Sequence, residues 1–167
     1  MTDLALLLLR VVTGGLLAGH GAQKLFGSFG GPGFARTAGF LETLGLQPGP
    51  FWTTLAGVGE LGGGLLTLVG LGGPLGSILT ISAMKMATFK AHSGKPIWAA
   101  SGGAELPVVN IAVGTALFLT GPGRYSLDRL FGIRLPRWLS ALAMLGSAAL
   151  LVVGLLSEPE PPAESDV

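Results

Sequence analysis

The chain has 167 residues, 49% of them hydrophobic and only 11% charged, with a mean hydropathy of +0.66. A soluble domain is about 25% charged, and the apolar residues here come in blocks of the length that crosses a bilayer. A net charge of +1 gives no basis for nucleic-acid binding, and zero cysteines exclude disulfides, thiol catalysis and cysteine-ligated metal or iron–sulfur centres.

Residues 4–25 read as the first span. Asp3 precedes it and Arg10 interrupts it, unlike a cleaved signal peptide. At 100° per residue Arg10, Thr13, Leu17, His20 and Lys24 fall within about 80° of one another. That stripe either lines a site inside the bundle or is a snorkelling arginine and an interfacial lysine. A Gly/Pro-rich loop follows over residues 27–50, in which residues 34–44 fit a short amphipathic helix.

Residues 51–71 form the second expected span. Thr53, Gly57, Glu60, Gly64 and Thr67 share one stripe. A carboxylate at the depth of Glu60 must be protonated or paired. It is either a buried strut or a proton-exchanging group. The third span is expected over 74–91, with Lys85, Phe89 and His92 on one face. The depth of Lys85 suits a pair with Glu60, and Arg10 could reach Glu60 from the other direction.

A second loop over 93–103 carries Lys95 and Trp98, the latter fitting an interfacial belt. The fourth span, 104–120, opens with Glu105, which the helix dipole alone would favour. Asn110, mid-span, is expected to hydrogen-bond to another helix. Residues 121–137 are basic, with four arginines against Asp128. The positive-inside rule makes that segment cytoplasmic, with the N-terminus inside and loops 27–50 and 93–103 outside. Residues 138–156 form an uncharged fifth span, and 158–167 form an acidic, Pro-rich tail expected to be disordered.

The expected fold is therefore all-α: a polytopic membrane helix bundle over residues 1–157, with a four-helix core and a fifth C-terminal transmembrane helix. Hairpin topology puts His20, Lys24, His92 and Glu105 on the side where the first span exits. Glu60 and Lys85 lie in that half or near the middle. No metal motif, nucleotide loop, catalytic triad or haem-attachment motif stands out.

Five short motifs occur in order: residues 20–27 (HGAQKLFG), Gly59-Glu60 followed by three glycines at 62–64, Met84 through His92, Gly103-Ala104-Glu105, and residues 121–128 (GPGRYSLD). Together they resemble the DoxX-like family of small bacterial and archaeal integral membrane proteins, over about residues 9–128. The resemblance implies a four-helix membrane core in the cell's inner (plasma) membrane, and an association with quinone-linked oxidoreductase complexes. This chain differs in its fifth span, its acidic tail and Lys85.

Three functions follow as expectations. The first is a membrane subunit of a quinone-linked or redox-detoxifying complex. Glu60 and Glu105 would be its catalytic, proton-handling residues, and His20, Lys24, His92, Lys85 and Arg10 its ligand-binding residues. The second is a non-catalytic anchor recruiting soluble redox enzymes. The third is a small proton-coupled transporter, which at this length needs oligomerisation. The expected cofactor is a quinone, with no metal or covalent group. The expected partners are the bilayer, other redox proteins and a second copy of the chain.

Overall fold

The structure is a computed structural model and describes residues 1–159. Seven α-helices occur among the described residues: α1 (Thr2–Phe26), α2 (Gly33–Thr43), α3 (Gly49–Val69), α4 (Leu75–Met86), α5 (Glu105–Thr120), α6 (Leu127–Phe131) and α7 (Arg137–Leu156). A π-helical turn, Ala87–Ala91, continues α4. The helical segments thus fall within two or three residues of the expected ones, and no strand occurs among the described residues.

The central pair is α1 with α3. A Cβ added to Gly14 would lie 2.7 Å from the carbonyl oxygen of Gly64 and 2.6 Å from the amide of Leu68. Seven residues on, one added to Gly21 would lie 2.7 Å from the carbonyl oxygen of Gly57. Two glycines per helix, two turns apart, therefore let the antiparallel backbones touch. In a bilayer, close packing of small residues replaces the hydrophobic drive that assembles helices in water. Helix α4 lies antiparallel to α3, with Gly63 against Leu79 and Gly76 against Thr67. Helix α5 lies against α4 through Gly114 and Ile81, and α7 packs on α4 where Gly154 meets Met86.

The helix ends have local causes. Gly27 takes a left-handed conformation (φ 69°) and closes α1, its amide donating to the carbonyl of Gln23. Gly70 does the same for α3 (φ 65°), and here glycine is required twice. A Cβ on it would also meet the Arg10 guanidinium carbon at 2.7 Å.

Polarity is distributed unusually. The buried set among the described residues contains ten apolar and ten polar side chains, the latter including Arg10, Glu60 and Asp128. Meanwhile Leu4, Leu8, Val12 and Leu16 of α1, and Trp138, Leu142, Leu145, Val152 and Leu156 of α7, are exposed. On α7 only Gly154 is buried.

Two helices, α1 and α7, are long and apolar enough to cross a membrane by length and composition, where five spans were expected. The difference has physical causes. Glycines and Glu60 dilute the apolarity of α3. Helix α4 changes pitch at residue 87. Helix α5, at 16 residues, spans about 24 Å against a hydrocarbon core of about 30 Å.

Ser157 opens the C-terminal segment, where Lys90 Nζ donates to its carbonyl (2.6 Å), and Pro159 lies against Gly45. The rest of the expected disordered tail, residues 160–167, lies outside the described residues.

Candidate functional site

Two polar constructions sit at opposite ends of the α1–α3 pair. The first is Lys24 with Glu60. Lys24 Nζ donates to Glu60 Oε2 in the one ion pair found among the described residues. The Glu60 side chain is 5% exposed and that of Lys24 is 27% exposed. The carboxylate is thus enclosed, and the ammonium reaches the surface. Lys24 makes no other hydrogen bond among the described residues, so two of its three N–H donors stay available.

This pairing differs from the expected Glu60–Lys85 or Glu60–Arg10 pair, and the helix register explains why. In the α3–α4 packing Glu60 lies level with Ala83. Lys85 is two residues on, about 200° around the helix, and is exposed on its outer side. Its depth fits and its azimuth does not. Arg10 lies level with Leu68, eight residues from Glu60 along α3.

His20 is exposed, and its Nδ1 donates to Gln23 Oε1 (3.1 Å), one turn from Lys24. His92 Nδ1 donates to the carbonyl of Gly102 (2.7 Å). Glu105 Oε2 accepts from the amide of Ala99 (2.8 Å). His92 and Glu105 therefore brace the 93–103 loop at the same end of the bundle. No hydrogen bond or ion pair among the described residues joins them to Lys24 and Glu60. The Asn110 side chain makes no hydrogen bond to another helix among the described residues, contrary to expectation. No group of three His, Asp or Glu side chains that could hold a metal ion occurs among the described residues.

The second construction centres on Arg10, which is 2% exposed. Its Nε donates to the Thr67 carbonyl (3.0 Å) and its Nη2 to that of Leu68 (3.0 Å). Its Nη1 donates to the carbonyls of Pro122 (2.6 Å) and Tyr125 (2.9 Å). The carbonyls of residues 67 and 68 lie in the last turn of α3, where the helix dipole favours a cation, and that of Thr67 also accepts from the Gly70 amide. Asp128 completes the construction, accepting from the amides of Gly72 (2.9 Å) and Gly73 (2.6 Å). Arg10, expected among the ligand-binding residues, is thus a backbone clamp far from His20. The space beside it measures about 10 Å³, room for at most one water.

Sequence reasoning did not find this clamp. The signal available was the GPG turn at 121–123, whose proline and glycines leave carbonyls for a buried donor to satisfy.

With this geometry in view, a sequence model described as DoxX matches residues 5–93. The chain belongs to the DoxX family. No curated protein and no solved structure matches the chain. The match runs from α1 to just past the π-turn, so it contains His20, Lys24, Glu60, Lys85 and His92. The motif residues of this DoxX protein separate by job. Gly21 and Gly64 set the helix contact, Gly21 against Gly57 outside the motifs, and Gly27 ends α1. Lys24 and Glu60 form the pair. The Gly103-Ala104-Glu105 and 121–128 motifs lie beyond the matched segment, and there Pro122, Tyr125 and Asp128 serve the Arg10 clamp and the turn after α3.

Proposed function

We propose that this DoxX protein is a multi-pass protein of the plasma membrane, with α1, α3, α4 and α5 as its core and α7 as a fifth span. The support is the polarity of the bundle. Arg10, Glu60 and the threonines point inward while leucine and valine cover the outside of α1 and α7. Water would penalise that outer surface and a bilayer solvates it. The shorter α5 fits with local thinning of the bilayer.

Within that frame, the protein acts as an integral membrane subunit of a quinone-linked or redox-detoxifying oxidoreductase. One observation carries this reading: a lysine–glutamate pair held between two apolar helices, with the carboxylate enclosed and the ammonium open to one side. Ionisable groups at such depth are costly and mark ligand or proton paths. The residues fit a quinone head. Lys24 and His20 would hold its carbonyl oxygens by donation, and Glu60 would hold or release a proton next to Lys24. When bound, the quinone supplies the two-electron acceptor. The chain's own contribution is to bind, orient and exchange protons. Electrons come from a partner's carrier, since no carrier motif is read in the sequence.

The test is purification with native partners, followed by quinone-reductase assay of Glu60→Gln in the assembled complex. Lost activity with the complex intact is the expected result; wild-type activity would sink the reading. A photoreactive quinone analogue should label the segment around residues 20–27, in competition with native quinone. Labelling confined to 124–137 would count against it.

The anchor reading has its own support. Arg10, His92 and Glu105 are all satisfied by backbone groups, as a purely structural scaffold requires. Full activity in Glu60→Gln would favour it.

A further inference from the structure

At the end of the bundle opposite Lys24, a groove of about 410 Å³ runs between the end of α5, the start of α4 and the start of α7. Its lining is mainly apolar and includes Pro74, Phe118, Leu135, Ala141 and Met144, with Arg137 among the lining residues. Arg134 precedes Leu135, and Arg124 lies two residues after Pro122, which also lines the groove. Arg124, Arg129, Arg134 and Arg137 are all exposed, and none forms an ion pair among the described residues. The carboxylates nearby are occupied with backbone: Asp128 faces the amides of Gly72 and Gly73, and Asp3 accepts from the amide of Arg124. With four exposed arginines and Arg10 against Asp3 and Asp128, this end of the bundle carries a net positive charge. Tyr125 and Trp138, both exposed at this end, are the residues that settle at headgroup depth.

We propose that this groove holds one anionic phospholipid of the surrounding bilayer. An acyl chain lies along the apolar lining, and the phosphate meets Arg134 and Arg137. Two features select this occupant together. A free phosphate would use the arginines and leave the groove empty. A zwitterionic lipid would use the groove and leave the charge unanswered. The groove is within the size range of ligand sites, and guanidinium binds phosphate oxygens in bidentate fashion. The inference rests on the membrane reading above and is independent of the quinone reading. Bound lipid would tie α7 to the α4–α5 hairpin, so that the fifth helix is held partly by its solvent.

The experiment is native mass spectrometry of the full chain in detergent, titrated with dioleoyl phosphatidylglycerol, dioleoyl phosphatidylcholine and dihexanoyl phosphatidylglycerol. The dioleoyl anionic lipid should bind at least about tenfold more tightly than the zwitterionic one. Arg134→Gln and Arg137→Gln should each weaken it about fivefold, with binding of the zwitterionic lipid unchanged. The short-chain anionic lipid should bind about tenfold more weakly than the long-chain one, because the groove is left unfilled. Equal binding of the two dioleoyl lipids would overturn the proposal. So would unchanged binding in the arginine variants, equal binding of short and long chains, or displacement by millimolar inorganic phosphate. An alkaline wash of cell membranes separates the two levels. Release of the chain into the aqueous phase would remove the membrane reading as well, whereas retention without lipid preference would remove only this site.

Discussion

Lys24 and Glu60 meet although they are about one helical turn out of step along the α1–α3 pair. Ala18 lies against Gly64 and Gly21 against Leu61, so Lys24 sits about one turn, roughly 5 Å, further toward the end of α1 than the level of Glu60. Helical side chains lean toward their own N-termini. Because the helices are antiparallel, Lys24 leans back and Glu60 leans forward, and the gap closes.

That arrangement makes the two single substitutions unequal. Lys24→Met leaves an enclosed carboxylate without a partner and should cost about 3 kcal/mol. Glu60→Gln leaves an ammonium that reaches the surface and should cost about 1 kcal/mol or less. The double variant should resemble Glu60→Gln. Thermal unfolding in detergent reads the order; a Glu60→Gln protein less stable than Lys24→Met would refute it.

The Arg10 clamp should be intolerant of change. Arg10→Met strands the carbonyls of Leu68, Pro122 and Tyr125 and should cost more than about 3 kcal/mol. Arg10→Lys keeps the charge and loses the planar fork, so it should recover only part of that. Quinone labelling near residues 20–27 should survive in whatever fraction folds. An Arg10→Met protein that unfolds with the wild type would show the clamp to be dispensable.

Glycines on α1 should divide by face. Gly14→Ala pushes a methyl into the backbone of α3 and should cost about 1–3 kcal/mol. Gly15→Ala meets open space and should be neutral, or gain up to about 1 kcal/mol from helix propensity. Parallel unfolding curves for the neighbouring variants decide this, and similar losses in both would mean the pairing is misassigned.

Topology is the remaining expectation. Reporter fusions after Pro136 should give a cytoplasmic signal, and fusions after Pro162 an external one, if α7 crosses the bilayer. A cytoplasmic signal from both would leave α7 outside the spanning set.

Much of this protein is written in its linear pattern. Apolar run length and Gly/Pro punctuation located α1, α3, α4, α5 and α7 within a few residues, because a helix satisfies its backbone groups locally and Gly and Pro interrupt it. The same pattern placed His20, Lys24, Glu60 and His92 at neighbouring depths. Depth is a one-dimensional property, read by counting residues. Partner choice depends on azimuth and register, which counting does not supply. Thus Glu60 finds Lys24 and not Lys85, because the α3-facing side of α4 is set by Gly76 and Thr80, and Lys85 is turned away from it. Arg10 binds carbonyls from residues 57 to 115 positions away in the chain. Only the packed tertiary structure brings the end of α3 and the 121–128 turn to one guanidinium.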